Sequence, residues 1–184
     1  MLFKQQAKVV SLLLTLLISS WAVAATVAPY AGQQTRSIKS LSEDDVTSLK
    51  AGKGWSLAKP AELNGVPGPA HLIELKDQLS LSDDQLGSIQ SIQKSMSQSA
   101  KKYGELYLNK EAEIEYFFKS EKVDEENLTQ LLHESAQYLA KLRHVHLQAH
   151  LKSKPLLTQH QLVMYQQLRG YSVSDNHTKS SHNH

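Results

Sequence analysis

The chain has 184 residues, with 20 Lys and Arg against 18 Asp and Glu and no cysteine. That length suits one domain or a small helical assembly, and the missing thiols exclude disulfides, thiolate metal sites and cysteine nucleophiles. With 7% aromatic residues and only 8 Gly and 5 Pro, strand formers and turn punctuation are too sparse for a sandwich, a barrel or a dinucleotide-binding sheet. A mostly helical protein remains.

Lys4 and Lys8 flank the start of an apolar run over 9–18, and Ala22-Val23-Ala24 places small residues at alternate positions. A basic start, a short apolar middle and a small-residue end form the pattern of a secretory signal peptide over 1–24, cut after Ala24. An uncleaved anchor is the alternative, weakened by Ser11, Thr15, Ser19 and Ser20 within the run. Removing the segment takes two lysines and no acid, which cancels the excess of two positive charges. A neutral exported chain is not a nucleic-acid binder.

Residues 25–40 show no periodicity and read as a loose arm. Ser42-Glu43-Asp44-Asp45 opens a short helix that Gly52 and Gly54 close. A second short segment over 56–64 carries Pro60, and Val66-Pro67-Gly68-Pro69 reads as a rigid turn in which the prolines fix φ and the glycine releases it. Another short helix is expected over 71–79. Leu86, Ile89, Ile92, Met96, Ala100, Tyr103, Tyr107, Ile114 and Phe117 then recur at steps of three, four and seven, one apolar face sustained for roughly 50 Å at 1.5 Å per residue. Leu128, Leu131, Tyr138, Leu142, Val145 and Ala149 repeat the pattern. The link over 120–123 is short, so the two long helices must pack antiparallel. A last helix is expected over 159–169, ended by Gly170. The tail over 172–184 is Ser, Asn and His with almost no apolar residue and reads as disordered and solvated. The expected architecture is all-α: a long antiparallel helical hairpin with short accessory helices over 41–171.

One motif occurs twice. Leu81-Ser82-Asp83-Asp84-Gln85-Leu86 opens the first long helix and Leu157-Thr158-Gln159-His160-Gln161-Leu162 the last. Each is a capping box inside a hydrophobic staple, worth about 1 kcal/mol per cap. Two copies flanking a helical hairpin behind a signal-like segment resemble the LTxxQ-motif periplasmic proteins, the group of the Spy and CpxP chaperone-like proteins and the periplasmic heavy-metal sensor and resistance proteins. Leu157 to Gln161 matches the motif fully; Leu81 to Gln85 matches with Ser for Thr. Further similarity lies in Ala51-Gly52-Lys53-Gly54, Leu57-Ala58, Ala61-Glu62-Leu63-Asn64-Gly65, Pro67-Gly68-Pro69 and His71. Arg143, His146-Leu147, His150-Leu151 and Leu168-Arg169-Gly170-Tyr171 extend it. The chain departs from the pattern at Pro60, inside a segment expected to be smoothly helical, and at Ala70, where an Arg is common. The resemblance implies a periplasmic, all-helical homodimer that acts by binding in envelope stress or metal response, with unfolded client proteins or an envelope sensor protein as partners.

His146 and His150 are one helical turn apart, so both imidazoles can face one ion. His71, with Glu74 one turn on, can complete a set of imidazole and carboxylate suited to zinc, nickel, cobalt or copper. In the resembling sensors His and Glu from a hairpin hold the metal. Against this, Lys141, Arg143, Lys152 and Lys154 surround the pair, and a histidine beside an apolar stripe can equally hydrogen-bond a backbone group in a packed interface. Charge is uneven along the hairpin. Eight acids oppose three bases between Glu105 and Glu126, while five bases and no acid lie between Lys141 and Tyr171. An acidic turn end, a basic open end and a broad apolar face suit a dimer or a surface that grips unfolded chains. Glu111, Glu113 and Glu115 alternate around a helix and read as solvated. No phosphate loop, HExxH or nucleophile elbow is present, so the chain is not expected to be an enzyme.

Overall fold

The computed structural model describes residues 28–120 and 123–171. The signal-like segment and the tail with His177, His182 and His184 lie outside the described residues. The chain divides into two units, Met1–Gly32 and Gln33–His184. Of the first, 28–32 form a turn in which the Ala31 amide donates to the Ala28 carbonyl at 2.9 Å.

The second unit is helical, with no strand among the described residues: α1 (Glu43–Lys50), α2 (Lys59–Leu63), α3 (Pro69–Glu74), α4 (Asp83–Lys119), α5 (Glu125–Ser153), a 3-10 turn (Lys154–Leu156) and α6 (Gln159–Leu168). The two long helices form the hairpin that periodicity predicts. Their antiparallel sense follows from which residues meet: Glu111 accepts from Ser135 at 2.6 Å, and Gln85 reaches the Leu156 carbonyl at 2.7 Å.

Two apolar clusters fix the short helices to this hairpin. Ile38, Leu41, Leu49, Ala100, Tyr107, Leu108 and Leu142 form one, between α1, α4 and α5. Leu72, Leu79, Ile89, Leu157 and Tyr165 form the other, between α3, α4 and α6. Burial of a large apolar side chain contributes about 1.5–3 kcal/mol, so residues such as Leu49, Leu72, Leu142 and Tyr165, at most 1% exposed, hold the packing. Gly104 admits α1, because a Cβ there would stand 2.6 Å from the Leu49 carbonyl oxygen.

Several local readings change. Residues 28–42, before α1, lack regular structure, as their aperiodic sequence predicts, yet their end is anchored rather than loose. Ile38 and Leu41 are buried, and Glu115 accepts from both the Lys39 amide (2.8 Å) and Nζ (2.7 Å). Glu111 takes the Ser40 hydroxyl at 2.8 Å as well as Ser135. These carboxylates therefore clamp segments together and are not merely a solvated surface. Pro60 lies in the first turn of α2, where its missing N–H costs nothing. The third helix begins at Pro69 and ends at Glu74; turns replace helix up to Ser80, whose φ of 48° breaks the spiral.

Candidate metal-binding cavity

The two copies of the repeated motif turn out to touch. Ser82 and Thr158 each cap the third amide of their helix, with Gln85 and Gln161 closing the box. The same two glutamines also pair: Gln85 Nε2 donates to Gln161 Oε1 at 2.9 Å, and Gln161 Nε2 to Gln85 Oε1 at 3.1 Å. Each also binds a carbonyl just ahead of the other's motif, Leu156 for Gln85 and Leu79 for Gln161, at 2.7 and 3.3 Å. The clasp docks the start of α6 on the start of α4, and this places Tyr165 and Arg169 against α2 and α3.

Beside them is a cavity of about 630 Å³ whose walls include His71, Glu74, His146 and His150. The structure thus brings the four sequence-predicted residues, from α3 and α5, to one cavity. It adds Glu62, Arg169, Trp55 and Met96 to the same walls.

His150 is 8% exposed, with Nδ1 at 2.6 Å from the Val66 carbonyl oxygen. A carbonyl only accepts, so Nδ1 carries the proton. This is the backbone bond expected of a packing histidine, and it is also the bond that fixes the tautomer of a metal ligand. The Pro-Gly-Pro turn supplies the fit. Gly68 has an ordinary φ of −89°, so its glycine is required for space and not for backbone freedom. A Cβ there would lie 2.6 Å from His150 Nε2.

His146 is 3% exposed, and its Nε2 is buried without a hydrogen-bond partner. Burial, and secondarily the neighbouring His150, pushes its pKa below the usual 6.5. It is therefore a neutral imidazole at neutral pH, the form that ligates metal.

His71 is engaged on both sides. Nδ1 lies 2.8 Å from Glu74 Oε2, and Arg169 Nη2 lies 3.1 Å from Nε2. Guanidinium only donates, so Nε2 accepts and the Nδ1–H donates to Glu74.

Glu62, 9% exposed, is the group that the sequence reading missed as a site residue. Its Oε1 accepts from the Tyr165 hydroxyl at 2.5 Å and stands 3.3 Å from Arg169 Nε. Its Oε2 is buried without a hydrogen-bond partner, 3.9 Å from His150 Nδ1. The Arg169 contact is an ion pair by distance without an aligned hydrogen bond, since Arg169 Nε is itself unsatisfied. Burial and the bond to Glu62 push the Tyr165 hydroxyl far above its usual pKa of 10, so it stays a donor. Ala61-Glu62-Leu63 offered the signal, an acid followed by Asn-Gly and set in a short apolar segment, although periodicity over five residues cannot show that an acid turns inward.

As they stand, no three His, Asp or Glu side chains among the described residues are gathered closely enough to hold an ion. The donor types nevertheless fit one: a buried neutral imidazole with an unused nitrogen, a second with its tautomer fixed, and a buried carboxylate oxygen with no partner.

No protein-family model, curated protein or solved structure matches this chain.

Proposed function

We propose that the chain is an exported envelope-stress or metal-response binding protein of the Spy, CpxP and heavy-metal-sensor group. It would take a divalent transition metal, zinc, nickel, cobalt or copper, in the cavity beside α5. The observation that carries this reading is the partnerless Nε2 of His146, a buried ring nitrogen of a kind that folded proteins rarely leave unused. His146 and His150 would be ligands, His71 and Glu74 the further candidates. The ion would supply folding energy and a charge-sensing change in the cavity wall. A signal over 1–24, a periplasmic location and a homodimer complete the proposal. It rests on the residue resemblance and agrees with the all-helical hairpin; among the described residues no helix is long and apolar enough to cross a membrane.

Calorimetric titration of the chain, with His177, His182 and His184 replaced by Ala, tests this. Micromolar or tighter zinc binding, lost in His146→Ala with His150→Ala while helicity is kept, is expected. Equal binding by the double variant would remove these histidines from the site.

One observation favours a second reading, an ATP-independent chaperone for unfolded clients. Tyr116, Phe118, Val123 and Leu132 near the hairpin turn are 75%, 59%, 52% and 52% exposed. Suppressed aggregation of an unfolded protein at near-stoichiometric ratio is then expected; unaltered aggregation at several-fold excess would exclude it.

A further inference from the structure

The geometry points to Arg169 as a built-in competitor for the metal: its guanidinium holds His71 Nε2 and shares the carboxylate of Glu62, whose other oxygen an incoming ion would use, so metal entry and release of the end of α6 are one event. This inference rests on the metal reading above and adds to it Glu62 as a ligand and Arg169 as the residue that sets the affinity.

Arg169 is the C-cap of α6, with its side chain turned to the cavity that holds the histidines. Its Nη2 donates to His71 Nε2 at 3.1 Å and to the Tyr171 hydroxyl at 3.2 Å, and its Nε is 3.3 Å from Glu62 Oε1. Its guanidinium carbon lies 5.6 Å from the centroid of the Tyr171 ring. One cation thus engages both an imidazole nitrogen and a buried carboxylate that Tyr165 also holds, two groups of the kind that ligate metal. The fit is incomplete: Glu62 Oε2, His146 Nε2 and Arg169 Nε are all left buried and unsatisfied. A divalent ion could use the first two and leave the third free to return to water. A guanidinium does not deprotonate in the physiological range, so the competition is one of charge and persists at every pH at which the histidines are neutral.

Release would be local. The Arg169 side chain is 28% exposed, so it needs only a short movement to reach solvent. The body of α6 is held independently, by fully buried Tyr165 and by the glutamine clasp. Beyond the helix, the end is tied through three backbone bonds: the Arg169 amide to Tyr165, Gly170 to Gln167 and Tyr171 to Gln166, at 2.9, 3.1 and 2.9 Å. These amides are the reporters of release.

The test is zinc titration of the full chain, with the three tail histidines replaced by Ala, alongside Arg169→Ala, Arg169→Gln, Arg169→Lys and Glu62→Gln. Hydrogen exchange of 165–171 is measured in the unsubstituted Arg169 protein with and without saturating zinc. The expected results are affinity at least tenfold tighter in Arg169→Ala and Arg169→Gln, affinity near the parent in Arg169→Lys, and loss in Glu62→Gln. Zinc should also speed exchange at the 169–171 amides while leaving Tyr165 protected. Should Arg169→Ala leave Glu62 uncompensated and fail to fold, Arg169→Gln, which keeps amide donors for His71, gives the same reading. Equal or weaker zinc binding in the folded neutral variants, or exchange at 169–171 unchanged by bound zinc, overturns the competitor role and leaves the metal reading standing. Zinc binding by none of these proteins overturns both.

Discussion

Buried polar groups have to be satisfied, and most of those here are. Among the described residues, three of the four buried side-chain atoms without a hydrogen-bond partner, Glu62 Oε2, His146 Nε2 and Arg169 Nε, belong to residues that line the cavity. A lone buried carboxylate or imidazole costs about 1–3 kcal/mol when it is left unmatched, and that cost falls mainly around one cavity. Gly68 governs this arrangement through space. Gly68→Ala would push a methyl to within 2.6 Å of the His150 ring, and either the ring or the Pro-Gly-Pro turn must shift. The expected cost is about 1–3 kcal/mol of stability, as for other overpacked sites, together with weakened zinc binding. Denaturant unfolding and zinc titration of the variant check both, and wild-type stability with wild-type binding would show that the close approach is unimportant. The histidines of this site were legible in the sequence because i,i+4 spacing is a helix rule. Glu62 was not, because its inward direction depends on Tyr165, 103 residues away.

At the scale of elements, the repeated motif links the two levels of structure. Its capping role follows from local chemistry and could be read directly, since Ser82 with Gln85 and Thr158 with Gln161 are spaced for it. That the two boxes also bind each other could not be read, because nothing in either hexapeptide specifies where the other lies. The pairing makes the glutamines cooperative. Gln85→Ala and Gln161→Ala should each cost about 1–3 kcal/mol, since each removes a cap and leaves the partner amide and a carbonyl unpaired. The double variant should cost clearly less than the sum. Additive losses in a double-mutant cycle would mean that the two helices start independently. A strong helical period made the long helices readable to within a few residues. One short helix defied this: α3 ends at Glu74 where a longer helix was expected, because packing of Leu72 and Leu79 outweighs the weak propensity of so few residues.

The second unit is built on a hairpin whose acidic turn half is tied to Lys39 and Ser40, ahead of α1, and whose basic half carries the cavity. Lys110 pairs with Glu113 on its own helix and bridges to α5 through Glu134, both at 2.7 Å, and its hydrogen bonds to them raise its pKa above 10.5. Glu115 ties the arm. The hydrogen bond from Lys39 holds its carboxyl below the usual 4.5, so it contributes stability that is present above pH 4.5 and is lost as the pH falls through that value toward the folded pKa. Glu115→Gln should therefore be less stable than the parent at neutral pH, with a gap that narrows in acid; thermal unfolding from pH 7 to pH 3 measures it, and a constant gap would contradict the assignment. Sequence charge counts showed the two unlike ends, but the helical alternation that read Glu111, Glu113 and Glu115 as solvated cannot see Lys39 and Ser40, which Glu115 and Glu111 hold.

The proposed centre of the protein is a divalent metal held by this hairpin through His146. Zinc-edge X-ray absorption of the zinc-loaded chain, with the tail histidines replaced by Ala, addresses it most directly. The account predicts imidazole scattering from at least two histidines, with zinc–nitrogen distances of about 2.0–2.1 Å, reduced or lost in His146→Ala. A shell of oxygen alone, or one that His146→Ala leaves unchanged, would contradict it.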